Sequence, residues 1–132
     1  MTTRPRVLIV DDEVQNLETF RRVWRRQFDI ATASSGPAGL ELLADREFDV
    51  VLTDYGMPGM NGSAFVQHAH QAQQVAIVMI TGYVDTPEVR HLEEVGALFT
   101  VVGKPWDRQT IVDVIQRACE HTHTIRARAH AR

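Results

Sequence analysis

The chain has 132 residues, 44% of them hydrophobic, and a formal net charge of −3; this suits one domain with a single two-sided core and excludes a multidomain reading. Its longest strongly apolar run, Val75 to Ile80, is far shorter than the roughly 20 residues of a membrane span, and no signal-peptide pattern precedes Val7, so a soluble cytoplasmic protein is expected. Without residues 122–132, eleven basic residues face seventeen acidic ones, an acidic body that argues against nucleic-acid binding by the domain itself.

Strand-like and helix-like segments alternate along the chain. Val7 to Val10 reads as a strand, and Leu17, Phe20, Trp24 and Phe28 then recur at helical spacing. Ile30 to Ala33 is a short second strand, and Ser34 or Ser35 is placed to cap a helix carrying Leu40, Leu42 and Leu43. The third strand is Asp49 to Asp54, continuous in Val50, Val51 and Leu52, as expected where both faces of a sheet are covered. A breaker-rich loop from Tyr55 to Gly62 leads into a helix over residues 63–72. Val75 to Ile80 is the fourth strand, Pro87 to Val95 a helix ended by Gly96, and Leu98 to Val102 the fifth strand. Asp107 caps a last helix with Ile111, Val114, Ile115 and Ala118 inward. Five βα units without an internal repeat define a doubly wound parallel sheet.

From about His121 the periodicity fails and Arg, Ala and His alternate. A domain over residues 1–121 is therefore expected, followed by a basic tail or linker over 122–132. Metal binding by His121, His123 and His130 is set aside because no second cluster of ligands stands near them in sequence. The single cysteine, Cys119, cannot form an internal disulfide and reads as a buried packing residue in a reducing compartment.

Chemistry gathers where the strands end. Thirteen of the fourteen basic residues are arginine, and the one lysine, Lys104, follows strand five and precedes Pro105. Asp11 and Asp12 follow strand one, Asp54 closes strand three, and Thr81 and Gly82 follow strand four. In an open parallel sheet these ends share the carboxyl edge, where ligands bind. Two carboxylates about 4 Å apart repel by about 4 kcal/mol at an effective dielectric of 20, so positive charge must compensate. Lys104 supplies one charge, and Mg2+, which prefers carboxylate, carbonyl and water oxygens, would supply two. A carboxylate so placed can attack a phosphoryl group and become an aspartyl phosphate, its oxygens held by Lys104, the Thr81 hydroxyl and loop amides. Each piece alone has a plainer reading: Asp11 or Asp12 as a helix cap, Thr81-Gly82 as a turn, Lys104 as a solvated side chain. Their joint occurrence at four strand ends favours the functional one.

Four motifs carry a family resemblance: Asp11-Asp12-Glu13, Asp54-Tyr55-Gly56-Met57-Pro58-Gly59-Met60-Asn61-Gly62, Thr81-Gly82 and Lys104-Pro105. Over about residues 5–120 the chain resembles the receiver domains of two-component response regulators, and the resemblance implies a flavodoxin-like (βα)5 sandwich with its parallel strands in the order 2-1-3-4-5 and helices on both faces. The resemblance implies that Asp54 accepts a phosphoryl group from a phosphohistidine on a sensor histidine kinase or histidine phosphotransfer protein. It implies that Asp12, Asp54 and the Gly56 carbonyl bind Mg2+ directly and Asp11 through water, and that Thr81 and Lys104 hold phosphoryl oxygens. Tyr55, Met57 and Pro58 shape the loop and Gly62 permits its tight exit. The protein would catalyse only its own phosphorylation and dephosphorylation. Phosphorylation would switch the face made by the fourth helix, fifth strand and fifth helix for an effector, a downstream protein or a second copy. Receivers usually carry Tyr or Phe three residues before the lysine, where this chain has Val101. Phe99, two residues earlier and hence on the same strand face but about 6.6 Å away, could substitute only with a different local packing, and the loop Thr81 to Tyr83 is the preferred carrier of the switch. Trp106 after Lys104-Pro105 resembles one receiver subgroup. Three other readings are a receiver-like interaction module that works without phosphorylation, a flavin-binding electron carrier, and a phosphatase with a nucleophilic Asp. The aspartates after strand one would repel a flavin phosphate, and the loops are too short for a phosphatase cap.

Overall fold

The computed structural model describes residues 4–82 and 86–131. Strands and helices alternate as β1 (Arg6–Val10), α1 (Val14–Trp24), β2 (Asp29–Ala33), α2 (Gly36–Asp45), β3 (Val50–Asp54), α3 (Gly62–Ala72), β4 (Ala76–Thr81), α4 (Pro87–Glu94), β5 (Thr100–Gly103) and α5 (Arg108–His130). The strands pair in parallel in the order β2-β1-β3-β4-β5, the flavodoxin-like arrangement expected from the sequence. Among the described residues no helix is long and apolar enough to cross a membrane.

Alternation along the central strands explains their unbroken apolar runs. Leu8, Val10, Val51, Ile77 and Met79 face α2, α3 and α4 through Leu43, Phe65, Val66, Val89 and Leu92. Val7, Ile9, Val50, Leu52, Val78 and Ile80 face α1 and α5 through Leu17, Phe20, Trp24, Ile111, Val114 and Ile115. Each face of the sheet is thus buried, which only apolar residues at every position satisfy. Four of the five helices start on side-chain caps: Ser35 accepts from the Ala38 N–H, Asn61 from Ala64, Thr86 from Val89 and Asp107 from Thr110. Gly96, at φ 77°, takes the left-handed turn that ends α4.

Two segments depart from the sequence reading. β5 begins at Thr100 because the Leu98 N–H still bonds to the Leu92 carbonyl at the end of α4 (3.1 Å); the Phe99 N–H is the first to reach β4, at the Ile77 carbonyl (2.8 Å). The second departure is larger. The loss of periodicity at His121 does not end the last helix, which runs on through His130. Thr122 is fully buried; its hydroxyl donates to the Asp49 carbonyl (2.7 Å) and accepts from the Ala76 N–H (2.8 Å). One turn later Arg126 donates to the carbonyls of Phe48 (2.6 Å) and Gln74 (2.9 Å). Polar side chains here satisfy backbone groups where β3 and β4 begin, so the inward face continues without apolar residues. Thr122→Val is expected to cost about 1–3 kcal/mol in urea unfolding, because it strands a buried N–H and carbonyl; a change below about 0.5 kcal/mol would show that water replaces the hydroxyl.

Candidate functional site

Parallel pairing aligns the strand ends: Val10 stands beside Thr53, Asp54 beside Ile80, and Thr81 beside Gly103. One residue past β1, the Asp11 N–H is held by the Ala33 carbonyl (3.1 Å). Side-chain oxygens of Asp11, Asp12 and Asp54 accordingly lie within 4.8 Å of one another. The Lys104 ammonium donates to Asp54 Oδ1 at 3.0 Å, and the Lys104 N–H bonds to the Thr81 carbonyl, also at 3.0 Å. Thr81 itself is buried. The Lys104–Pro105 peptide is cis. Below the acids a cavity of about 490 Å3 opens between β1, β3 and the β5–α5 connection, walled by Phe20, Leu52, Ile80 and Trp106.

Asp11 serves both as a turn cap and as part of this acid cluster. One oxygen accepts from the Glu13 N–H (2.9 Å), ahead of α1, and the other from the Asn16 amide (3.1 Å). Burial pushes its carboxyl above the ordinary value, while those two hydrogen bonds pull it down; Asp54 adds to the rise and Lys104 opposes it. A folded-state pKa above the unfolded one means that the ionised form is a cost at neutral pH, relieved as pH falls through the raised value toward the ordinary one. In divalent-free buffer Asp11→Asn is therefore expected to raise the stability of the fold at pH 7 and to remove that part of the acid-side gain. Urea midpoints measured from pH 7 to pH 4 test it.

The loop after Asp54 makes two connections. The Gly62 N–H bonds to the Tyr55 carbonyl (2.7 Å), closing the loop. A methyl on Gly62 would press into the Asp54 carbonyl and lie 2.7 Å from the Tyr55 Cα, so close approach, with no positive φ, is what requires glycine there. The Tyr55 hydroxyl donates to Glu88 in the first turn of α4, and this bond holds the phenol above its usual pKa. Met57 is buried, while Gly56 and Pro58 are exposed and Gly82 lies just past β4.

The structure separates two residues the sequence had placed on one face. Val101 packs in the layer of α2, α3 and α4, whereas Phe99 packs in the opposite layer and stacks on His121 at 4.9 Å, near the amino edge. Phe99 precedes the regular strand, so alternation does not hold across that interval, and its ring is not placed to replace an aromatic at position 101. Tyr83, in the loop expected to carry the switch, lies outside the described residues.

Sequence reasoning missed Asn16, whose position one turn into α1 was a usable signal, and the Tyr55–Glu88 pair, 33 residues apart, for which no local signal exists. It also missed the aromatic cluster in which Trp106 stacks on Phe20 and Trp24, with centroids 5.2 and 5.4 Å away.

Fold and site together define a doubly wound α/β domain with an acidic pocket and a lysine at its carboxyl edge. Residues 7–116 match the model of the response regulator receiver domain, and the chain belongs to that family. It is a receiver of two-component response regulators, which displaces the flavin-carrier and phosphatase readings. The hydrogenase transcriptional regulatory protein HoxA of Cupriavidus necator is 28% identical over 86% of this chain and 24% of its own length. The transcriptional regulatory protein ZraR of Escherichia coli O157:H7 is 30% identical over 95% of this chain and 29% of its own. The chain thus spans about a quarter of the length of these relatives. Among solved structures, the signal receiver domain of an HD domain-containing protein from Pseudomonas fluorescens Pf-5 superposes with a TM-score of 0.86 at 28% identity, covering 97% of this chain and 96% of that one.

Proposed function

We propose that Asp54 is the phosphoryl acceptor of this receiver, taking the group from a phosphohistidine of a sensor histidine kinase or histidine phosphotransfer protein. The observation that carries this reading is the half-buried Asp54 carboxylate, 3.0 Å from the Lys104 ammonium, with the oxygens of Asp11 and Asp12 within 4.8 Å. An Asp54 oxygen attacks phosphorus in line, the phosphorus–nitrogen bond breaks, and the imidazole leaves with its electron pair. Lys104 and the Thr81 hydroxyl then hold the phosphoryl oxygens. The three carboxylates form a hard oxygen donor set suited to Mg2+: Asp12, Asp54 and the Gly56 carbonyl would hold it directly and Asp11 through water, and when bound it supplies positive charge opposite the incoming phosphate. Chemistry is confined to the protein's own phosphorylation and dephosphorylation, in the cytoplasm.

The switch runs through two links from the site. One is Tyr55 to Glu88, from the acceptor loop to α4; the other is the Thr81 carbonyl to the Lys104 N–H, from β4 to β5. Both point to the α4, β5 and α5 face as the surface offered to an effector, a downstream protein or a second copy. Val101 carries no ring there, so the shift travels through the loop after Thr81. Residues 1–121 are the phosphoryl-accepting unit, and the basic stretch over residues 122–132, helical through His130, is its linker. Trp106, packed on Phe20 and Trp24, supports placing the chain in the Lys-Pro-Trp subgroup.

The test is incubation with acetyl phosphate and Mg2+ followed by intact-mass measurement. One phosphoryl adduct per chain, absent after chelation, is expected. No adduct from either acetyl phosphate or a phosphorylated histidine phosphotransfer protein would leave a receiver-like interaction module that works without phosphorylation.

A further inference from the structure

At the amino edge of the sheet, opposite the acidic pocket, three unlike donors meet. Cys119 and His123 lie one turn apart on α5, at the i,i+4 spacing that puts side chains on one face, with Sγ and Nε2 3.8 Å apart. His123 Nε2 is 2.9 Å from Asp49 Oδ1, contributed by the residue before β3. We propose that Asp49, Cys119 and His123 form a binding site for a transition-metal cation, best matched by Zn2+, with solvent in the fourth position. The proposal stands independently of phosphorylation at Asp54.

The donor set and the separations carry it. Thiolate, imidazole and carboxylate are the ligands of tetrahedral zinc, at about 2.3, 2.0 and 2.1 Å; tetrahedral angles then place sulfur about 3.5 Å from nitrogen and nitrogen about 3.4 Å from oxygen. The sulfur–nitrogen separation is already near that value. The nitrogen–oxygen pair is now a hydrogen bond and must open by about 0.5 Å, which the His123 side chain, 61% exposed, is free to do. Asp49 and Cys119 are half-buried, so two of the three ligands are preplaced. Asp49 is held through its other oxygen, which accepts from the Arg6 N–H (2.8 Å), and through its carbonyl, which accepts from Thr122.

The charges around the cluster favour a cation on balance. Burial, Asp49 and Glu120 push the Cys119 thiol above its ordinary pKa, and Arg126 opposes them. The acids that hinder a bare thiolate attract a metal ion, which would displace the thiol proton on binding. Arg126 is the competitor, with Nη1 3.9 Å from Asp49 Oδ1. Its stronger bonds go to Phe48, Gln74 and Glu47, so it can keep its place while Asp49 turns to an ion. Such an ion would tie the extension of α5 to the start of β3, the strand that ends in Asp54.

Cobalt tests the site cleanly because Cys119 is the only cysteine in the chain, so thiolate-to-cobalt absorption reports this position alone. The reduced chain of residues 1–132 is titrated with Co2+ in excess Mg2+, which occupies the carboxyl edge. The expected result is a thiolate-to-cobalt band saturating at one ion per chain, displaced by Zn2+. Asp54→Asn leaves it intact, while His123→Gln and Asp49→Asn each weaken binding at least about tenfold, no less than the loss of an outer-shell partner costs. Circular dichroism confirms that each variant is folded; if Asp49→Asn is not, His123→Gln, on an exposed side chain, decides alone. No band from the folded wild-type protein overturns the proposal. So does a band of unchanged affinity in His123→Gln, or one requiring two chains per ion.

Discussion

Asp54→Asn is expected to abolish the phosphoryl adduct formed from acetyl phosphate or from a phosphorylated histidine phosphotransfer protein, taking it from one per chain to none. The amide is nearly the same size as the carboxylate, and the backbone around it is fixed by β3 pairing with β4, so the fold survives. What disappears is the anionic oxygen that attacks phosphorus. The variant also loses one of three crowded carboxylates within 4.8 Å of one another, which lowers their mutual repulsion. The exposed end of Lys104 loses its ion pair with Asp54, a small loss for a solvated lysine. Equal or slightly raised stability with no adduct is therefore the expected pair of results, read by thermal unfolding and intact mass on one preparation. An adduct persisting at full occupancy in Asp54→Asn would move the acceptor elsewhere, and peptide mapping would locate it.

Gly62→Ala is expected to destabilise the fold by about 2–3 kcal/mol, the upper part of the range for a methyl forced into a packed site, and to slow adduct formation as well. The added carbon meets backbone on both sides, the Asp54 carbonyl and the Tyr55 Cα at 2.7 Å. Backbone cannot swing aside as a flexible side chain can, so the loop must move as a unit. That motion breaks the 2.7 Å bond from the Gly62 N–H to the Tyr55 carbonyl and displaces Asp54 from Lys104. A contrast is available at Gly56, where an added Cβ meets nothing within 4 Å; alanine there is expected to change stability by less than about 0.5 kcal/mol, as at an ordinary surface position. Equal urea midpoints for the two alanine variants would show that the loop relaxes at no cost.

The fold was legible because its determinants are local. Four-residue apolar runs such as Val7 to Val10, the spacing of Leu17, Phe20 and Trp24, and caps such as Asp107 are visible within a dozen residues. Much of the acidic pocket was legible for the same reason. In a parallel sheet, residues that close successive strands must share an edge, so Asp11, Asp54, Thr81 and Lys104 needed only correct strand ends to be brought together. The end of α5 was illegible because Thr122 and Arg126 face inward as hydrogen-bond donors, and hydropathy registers them as solvent-facing.

Sequence by itself thus determined the class of fold and the side chains of the carboxyl edge, since both follow from periodicity and from where strands stop, while the strand order came with the family resemblance. Tertiary structure alone decided contacts made across large separations: Tyr55 with Glu88, Thr122 with Asp49 and Ala76, and His123 with Asp49, 74 residues away. It also decided that Phe99 and Val101 face opposite layers. These depend on how helices settle against a twisted sheet and on which backbone groups are left unpaired at strand starts, and no pattern of neighbouring residues records either.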